Sequence, residues 1–337
     1  MNLLQKPGKI RYFKIIKFMK NSVAIFGGSG FIGHHLIEKL EYQFYNFDII
    51  ESNDKKNFNY CDVRQPINIK IKDKIGIIFN LAALCTIPKY DEKDYYNTNV
   101  RGAENVCNFA RQNNINTIVF TSSIAPYGMR EREMTEDSLP MPTNEYGISK
   151  LIAEHIHMRW QSEKKDERSL IILRPGIVFG KSENGNFTRL YSTMKKGIFF
   201  YPGRKDSKKA CIYVKDLARI LVKVSQNNNS EIRIFNCCYP KPYTIEEICD
   251  VISLVTNIKK PKIIIPAWFL KIASSVIFLF GRILRKNFMG IHPDRIDKLL
   301  ISTNIIGLEL DKHYPLKYNL KEAINDWFLD CGKKGLY

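Results

Sequence analysis

The chain is 337 residues long and 45% hydrophobic, with 52 Lys+Arg against 34 Asp+Glu for a formal net charge of +18. That composition builds a full globular core and excludes wholesale disorder, and the length suits one large α/β unit or a larger domain with a smaller cap. A surplus of this sign fits nucleic acid, anionic lipid, an anionic small molecule or simply a solvated basic surface; with no zinc-finger spacing, RNP-like signature or Arg-rich tail, nucleic acid is set aside.

Residues 1–20 form a basic extension with six Lys/Arg and no acid. They lack the apolar core and small-residue cleavage site of a secretory signal, and Met19 is an alternative start. None of the eight cysteines forms a C-x-x-C and no His stands at zinc spacing, so buried or incidental thiols in a reducing, cytoplasmic setting are expected, and no metal site.

Short apolar runs predict strands at 22–26, 44–49, 58–61, 76–80, 117–121 and 169–173, and a late strand at 232–236 that rejoins them. Helices are expected at 31–40, 93–112 and 145–162. Strands alternating with helical crossovers read as a parallel sheet, an α/β Rossmann doubly wound fold. After Arg174-Pro175 the alternation breaks, and Gly, Pro and Asn cluster at 175–186 and 202–207. The expected organisation is a dinucleotide-type domain over 21–175 with 211–236 returning to it, and a smaller C-terminal α/β substrate domain from 176–210 and 237–337.

The first strand runs into Gly27, Gly30 and Gly33, with Phe31 and Ile32 opening the helix. Glycines at this spacing let backbone approach a pyrophosphate seated at the helix N-terminus. Asp48 ends the second strand, where an acid receives a ribose 2′-hydroxyl and disfavours a 2′-phosphate, so NAD is expected over NADP. Asp62-Val63 follows the third strand, near the expected adenine.

Tyr146 and Lys150 stand at i and i+4 on one helix face. An ammonium beside a phenol favours the phenolate, which makes a base for a hydroxyl proton near neutral pH. Ser122-Ser123 ends the preceding strand, where a hydroxyl faces a ligand crevice, and Ser123 is placed to bond the oxygen that Tyr146 deprotonates.

The ordered set Gly27/Gly30/Gly33, Asp48, Asp62-Val63, Asn80-Leu81-Ala82-Ala83, Asn99-x-x-Gly102, Ser122-Ser123, Tyr146/Lys150 and Arg174-Pro175 resembles the extended short-chain dehydrogenase/reductase family, sugar epimerase branch. The run Tyr213-Val214-Lys215-Asp216-Leu217-Ala218 resembles that family's second-domain hallmark, so the likeness covers about residues 21–325. It implies an NAD-dependent 4-epimerase in which Tyr146 takes the C4 hydroxyl proton while the C4 hydride passes to NAD, and a 4-keto sugar turns over before reduction. It further implies that Leu81, Ala82, Ala83 and Asn99 join the cofactor site, that Lys150 tunes Tyr146 and binds the nicotinamide ribose, and that a homodimer forms through the helices near 93–112 and 145–162.

Departures from the family pattern narrow the chemistry. Ile124-Ala125 replaces the Asp-Glu pair of the sugar dehydratases, which removes the acid and base for water elimination. Ile177 replaces an Asn of the nucleotide-sugar epimerases, and Lys209 replaces their Arg, losing bidentate phosphate contacts. The stretch from Glu167 to Pro175, followed by Gly185-Asn186, resembles the subgroup that epimerises N-acetylglucosamine on undecaprenyl diphosphate in O-antigen assembly. Ser122, Ser123, Arg174, Asn186 and Lys209 are the expected substrate contacts. Residues 263–286 combine a basic stripe with a broad aromatic and aliphatic face and read either as a helix lying on an anionic membrane surface or as a buried core or dimer helix. The first reading places the protein peripherally on the inner face of the cell membrane. The alternatives are a UDP-hexose or UDP-HexNAc 4-epimerase, an NAD(P)H-dependent 4-keto-sugar reductase, and a non-catalytic dinucleotide sensor.

Overall fold

A computed structural model describes residues 22–51, 57–85, 90–226, 229–270 and 300–337. The first strand, β1 (Ser22–Phe26), is buried at all five positions, as a strand covered on both faces must be. Around it lie β2 (Phe44–Asp48), β3 (Phe58–Tyr60), β4 (Ile75–Asn80), β5 (Thr117–Thr121), β7 (Ser169–Pro175) and β12 (Ile232–Cys237). Their order is β12-β7-β5-β4-β1-β2-β3, with β1–β2, β1–β4, β2–β3, β4–β5 and β5–β7 pairing in parallel. This is the Rossmann doubly wound sheet. Strand order reverses between β1 and β4, so the crevice at their carboxyl ends is the natural ligand position.

The crossovers are α1 (Phe31–Ile37), a segment made of α2 (Glu92–Tyr95), a π-turn (Tyr96–Arg101) and α3 (Gly102–Gln112), and α4 (Glu145–Ser162). Asn144 starts α4 by accepting the amide of Gly147 on its side chain at 2.9 Å. Phe26 stacks on Phe47 with ring centroids 5.0 Å apart and meets Phe109 edge-on at 5.5 Å, which anchors α3 to the sheet.

Contact density divides the chain into two units. The first takes in the described residues through Pro126, Pro142–Arg174 and Leu217–Phe235. The second takes Tyr127–Met141, Pro175–Asp216 and the described residues from Asn236 on. It holds a four-stranded sheet in the order β13 (Tyr243–Thr244), β10 (Lys208–Lys209), β15 (Thr303–Ile305), β6 (Arg130–Met134). Two parallel pairs accompany it, β11 (Cys211–Tyr213) with β8 (Ile177–Phe179) and β14 (Ile264–Ile265) with β9 (Tyr201–Pro202). Its helices are α5 (Asn186–Lys195), α6 (Val214–Ser225, begun here and continued in the first unit), α7 (Ile245–Thr256), α8 (Leu308–His313) and α9 (Leu320–Asp330). Thr244/Glu247 and Asn319/Glu322 form reciprocal capping boxes that start α7 and α9.

The division by contact density differs from the expected domain bounds chiefly at two stretches. Residues 127–141 join the second unit because β6 pairs with β15, and 211–216 join it because β11 pairs with β8. The helix expected over 93–112 is interrupted by the π-turn. The basic extension 1–20 lies outside the described residues, and of the segment 263–286 only 263–270 is described. There Ile263, Trp268 and Phe269 are exposed. Among the described residues no helix is long and apolar enough to cross a membrane.

Candidate active site

The loop after β1 is built for close approach. Gly27 has φ +84°, and a Cβ there would stand 2.7 Å from the amide nitrogen of Ala82. At Gly33 a Cβ would meet the Cα of Gly28 at 2.5 Å and the carbonyl of Gly27 at 2.6 Å. Gly30 is the N-cap of α1 and, having no side chain, leaves the first-turn amides near Phe31 and Ile32 without a side-chain cap from its own position. Asp48 is fixed at the end of β2, its carboxylate accepting the amides of Ser29 at 3.0 Å and Ile50 at 3.1 Å. The Arg64 guanidinium holds the Asp62 carboxyl below the usual carboxylate range, through contacts of 2.7–3.0 Å. Val63 is buried against the first unit's core and sits 3.0 Å from a Cβ placed on Gly102.

Across the switch point, Leu81 donates its amide to the Phe26 carbonyl at 2.8 Å, which brings Leu81, Ala82 and Ala83 beside the glycine turn. Asn99 clamps the end of this loop. Its Oδ1 accepts the Leu84 amide at 2.9 Å, and its Nδ2 donates to the Leu84 carbonyl at 3.2 Å and to Ser149 Oγ at 2.9 Å. The π-turn supplies this geometry, since it carries Asn99 into the buried side of the segment.

Tyr146 opens α4 beside Tyr95, with ring centroids 6.3 Å apart. Dense packing pushes its phenol well above the ordinary value and Cys85 adds to this, while a hydrogen bond with Ser123 pulls it back. Ser123 Oγ accepts the Ala125 amide at 3.1 Å, which leaves its own proton to donate to the phenol oxygen. Lys150 departs from expectation. Its ammonium donates to the Thr121 carbonyl at 2.6 Å and lies 4.4 Å over the Phe120 ring, rather than bonding the phenol. A buried ammonium needs an acceptor, and the end of β5 offers one. Burial lowers Lys150 to about 8 against the raising effect of Glu154. Behind it His157 stacks on Phe120 at 4.1 Å; burial lowers it to about 4, so it is neutral, with Nδ1 donating to the Ala153 carbonyl and Nε2 facing the Asn80 amide.

The remaining expected contacts divide. Ser122 and Arg174 lie with the site in the first unit, but both turn to the buried carboxylate of Glu154. Asn186 is exposed at the start of α5, with Oδ1 accepting Arg189 Nη2 at 3.1 Å. Lys209 is buried in the second unit, donates to the Ile301 carbonyl at 2.8 Å, and is lowered by that burial to about 8.

A sequence model described as the NAD dependent epimerase/dehydratase family matches residues 23–238. The chain belongs to that family. This epimerase-family enzyme is 27% identical over 255 residues to the N-acetyl-alpha-D-glucosaminyl-diphospho-ditrans,octacis-undecaprenol 4-epimerase of Escherichia coli O157:H7, covering 74% of this chain and 76% of that one. It is 26% identical over 275 residues to a UDP-glucose 4-epimerase of Lactobacillus helveticus, with 71% and 83% coverage. Its fold is shared with a UDP-N-acetylglucosamine 4-epimerase from Bacillus cereus at TM-score 0.70 and 20% identity, over 92% of this chain and 98% of that one.

The epimerase-family enzyme is NAD-dependent, and the turn is consistent with close approach of such a cofactor: Cβ atoms at Gly27 and Gly33 would strike backbone, and the Asp48 carboxylate closes the end of β2 beside Ser29. When bound, NAD supplies reversible two-electron chemistry. Sequence reasoning missed Glu154, which looks like an ordinary helix acid until its burial is seen.

Proposed function

We propose that this enzyme inverts C4 of an N-acetylhexosamine carried on a diphosphate, with a polyprenyl chain as the carrier, in surface polysaccharide assembly. The observation that carries the C4 chemistry is the placement of Tyr146 and Lys150 one turn apart on α4, with Lys150 bonded to the Thr121 carbonyl at the end of β5, two residues before Ser123. In this reading Tyr146 accepts the proton of the C4 hydroxyl and returns it after the 4-keto sugar has turned. Ser123 donates to the same oxygen and holds it in line. Lys150 keeps a positive charge near the phenolate and reaches the nicotinamide ribose. Ile124-Ala125 offers no acid or base for elimination, so oxidation and reduction at one carbon is the whole reaction.

The lipid carrier is supported by likeness to the Escherichia coli relative, by the +18 charge and by the exposed Trp268 and Phe269. These features favour a peripheral position on the inner membrane face, and the resemblance adds a homodimer. A nucleotide-sugar carrier is the second reading, favoured by the Lactobacillus helveticus relative. The test incubates the purified enzyme, without added NAD(H), with polyprenyl-diphosphate-GlcNAc and separately with UDP-GlcNAc. Turnover of the lipid-linked sugar, lost by a factor of about 10²–10⁴ in Tyr146→Phe, is the expected result. Turnover of UDP-GlcNAc alone rejects the lipid carrier, and a need for stoichiometric NAD(P)H rejects epimerisation in favour of a reductase.

A further inference from the structure

Glu154 has no part in the reaction above, yet it centres the buried polar cluster behind it. It follows Lys150 by one turn of α4 and Tyr146 by two, so the three share a face. Its side chain is fully buried and that of Arg174 nearly so. Oε1 accepts Ser122 Oγ at 2.5 Å and Arg174 Nε at 2.9 Å, and Oε2 accepts Arg174 Nη2 at 2.7 Å. Ser122 directly precedes Ser123, and its amide donates to the carbonyl of Leu173, the neighbour of Arg174, at 2.7 Å. One carboxylate thus joins the end of β5, the end of β7 and the helix of the phenol. Charge-assisted bonds of this kind are the strong and directional ones.

We infer that Glu154 is a positioning residue of the C4 reaction: through Ser122 and Arg174 its carboxylate fixes the Ser123 hydroxyl against Tyr146, and its charge supports the Lys150 ammonium. The inference rests on the chemistry proposed above. With Arg174 compensating Glu154, the buried trio keeps one net positive charge, which belongs to Lys150. The groups facing Lys150 are Glu154 and neutral His157 on its own helix, Tyr146 one turn earlier, Cys85 from the loop after β4, and the Thr121 carbonyl and Phe120 ring of β5. Glu154 is the carboxylate of this set, so its removal makes the ammonium easier to deprotonate.

The test is Glu154→Gln, read with and without substrate. Lys150 titration, followed by carbon-13 NMR of labelled lysine and assigned with Lys150→Met, is expected to move down by about one pH unit. The alkaline limb of kcat/KM moves with it. The kcat falls about tenfold while KM and NAD affinity stay within twofold. Glu154→Gln/Arg174→Met removes both charges and leaves no orphaned ion, which guards against a folding defect. In that double variant the limb returns toward wild type while kcat stays low, because the Arg174 bonds are gone and Ser122 Oγ meets only a neutral amide oxygen in place of the carboxylate. A wild-type titration and pH profile in Glu154→Gln, or wild-type kcat in the double variant, overturns the inference. If the native enzyme turns over neither sugar, the proposed function fails, whereas the Lys150 titration still reads Glu154 directly.

Discussion

On the proposed C4 chemistry, Lys150 sets an upper pH limit on activity. Its ammonium holds its proton only to about pH 8, against 10.5 for an ordinary lysine. Below that value the ammonium one helical turn from Tyr146 carries its charge, and above it the charge is lost. The kcat/KM is therefore expected to fall about tenfold per pH unit above pH 8, and Lys150→Met to remove this limb along with most of the activity; a pH–rate profile on both proteins checks it. Stability runs the other way. Between about 8 and 10.5 the unfolded chain binds more protons at this site than the folded one, so the folded state gains as pH rises through that window. Tyr146, Lys150 and Ser123 were legible in the sequence because a helix spacing and a strand end suffice to place them. The direction of the Lys150 ammonium was not, because its acceptor is a backbone carbonyl 29 residues earlier. Arg174 looked like a substrate contact for the same kind of reason: its partner Glu154, 20 residues away, is visible only once α4 lies on the sheet.

The glycine turn is the element on which cofactor binding depends. At Gly33 an added Cβ would strike backbone atoms on both sides, Gly28 Cα and the Gly27 carbonyl, neither of which is a flexible side-chain end. Gly33→Ala is expected to weaken NAD binding at least about 100-fold, roughly 2.7 kcal/mol, with near-wild-type circular dichroism; a fluorescence titration with NAD measures it. The strands of the parallel sheet were readable because each is a short apolar run. β6 was not, since four of the five residues in Arg130–Met134 are charged and the strand exists only by pairing with β15. The π-turn was equally hidden, because Tyr96–Arg101 carries no period that separates it from an α-helix.

For the whole molecule, the net charge of +18 and the exposed Trp268 and Phe269 bear on where the enzyme works. Aromatic side chains beside basic ones bind the boundary of an anionic bilayer by apolar burial plus attraction to the headgroups. The enzyme is expected to sediment with phosphatidylglycerol vesicles at low salt and to leave them as salt rises. Trp268→Ser/Phe269→Ser should weaken this at least about tenfold while leaving NAD binding intact; binding unchanged in that variant would remove the membrane assignment.

The chain order of the seven-stranded sheet has a consequence for synthesis. β7 is buried at all seven positions, yet its outer neighbour β12 begins nearly sixty residues later in the chain. At about 5–20 residues per second, a ribosome leaves that strand bare on one side for roughly 3–11 s. During this interval its free amides and carbonyls, flanked by Leu170, Ile171, Ile172 and Leu173, form an open template for mispairing with other nascent chains. Slowed elongation between codons 176 and 232 would lengthen the exposure and raise the demand for chaperones.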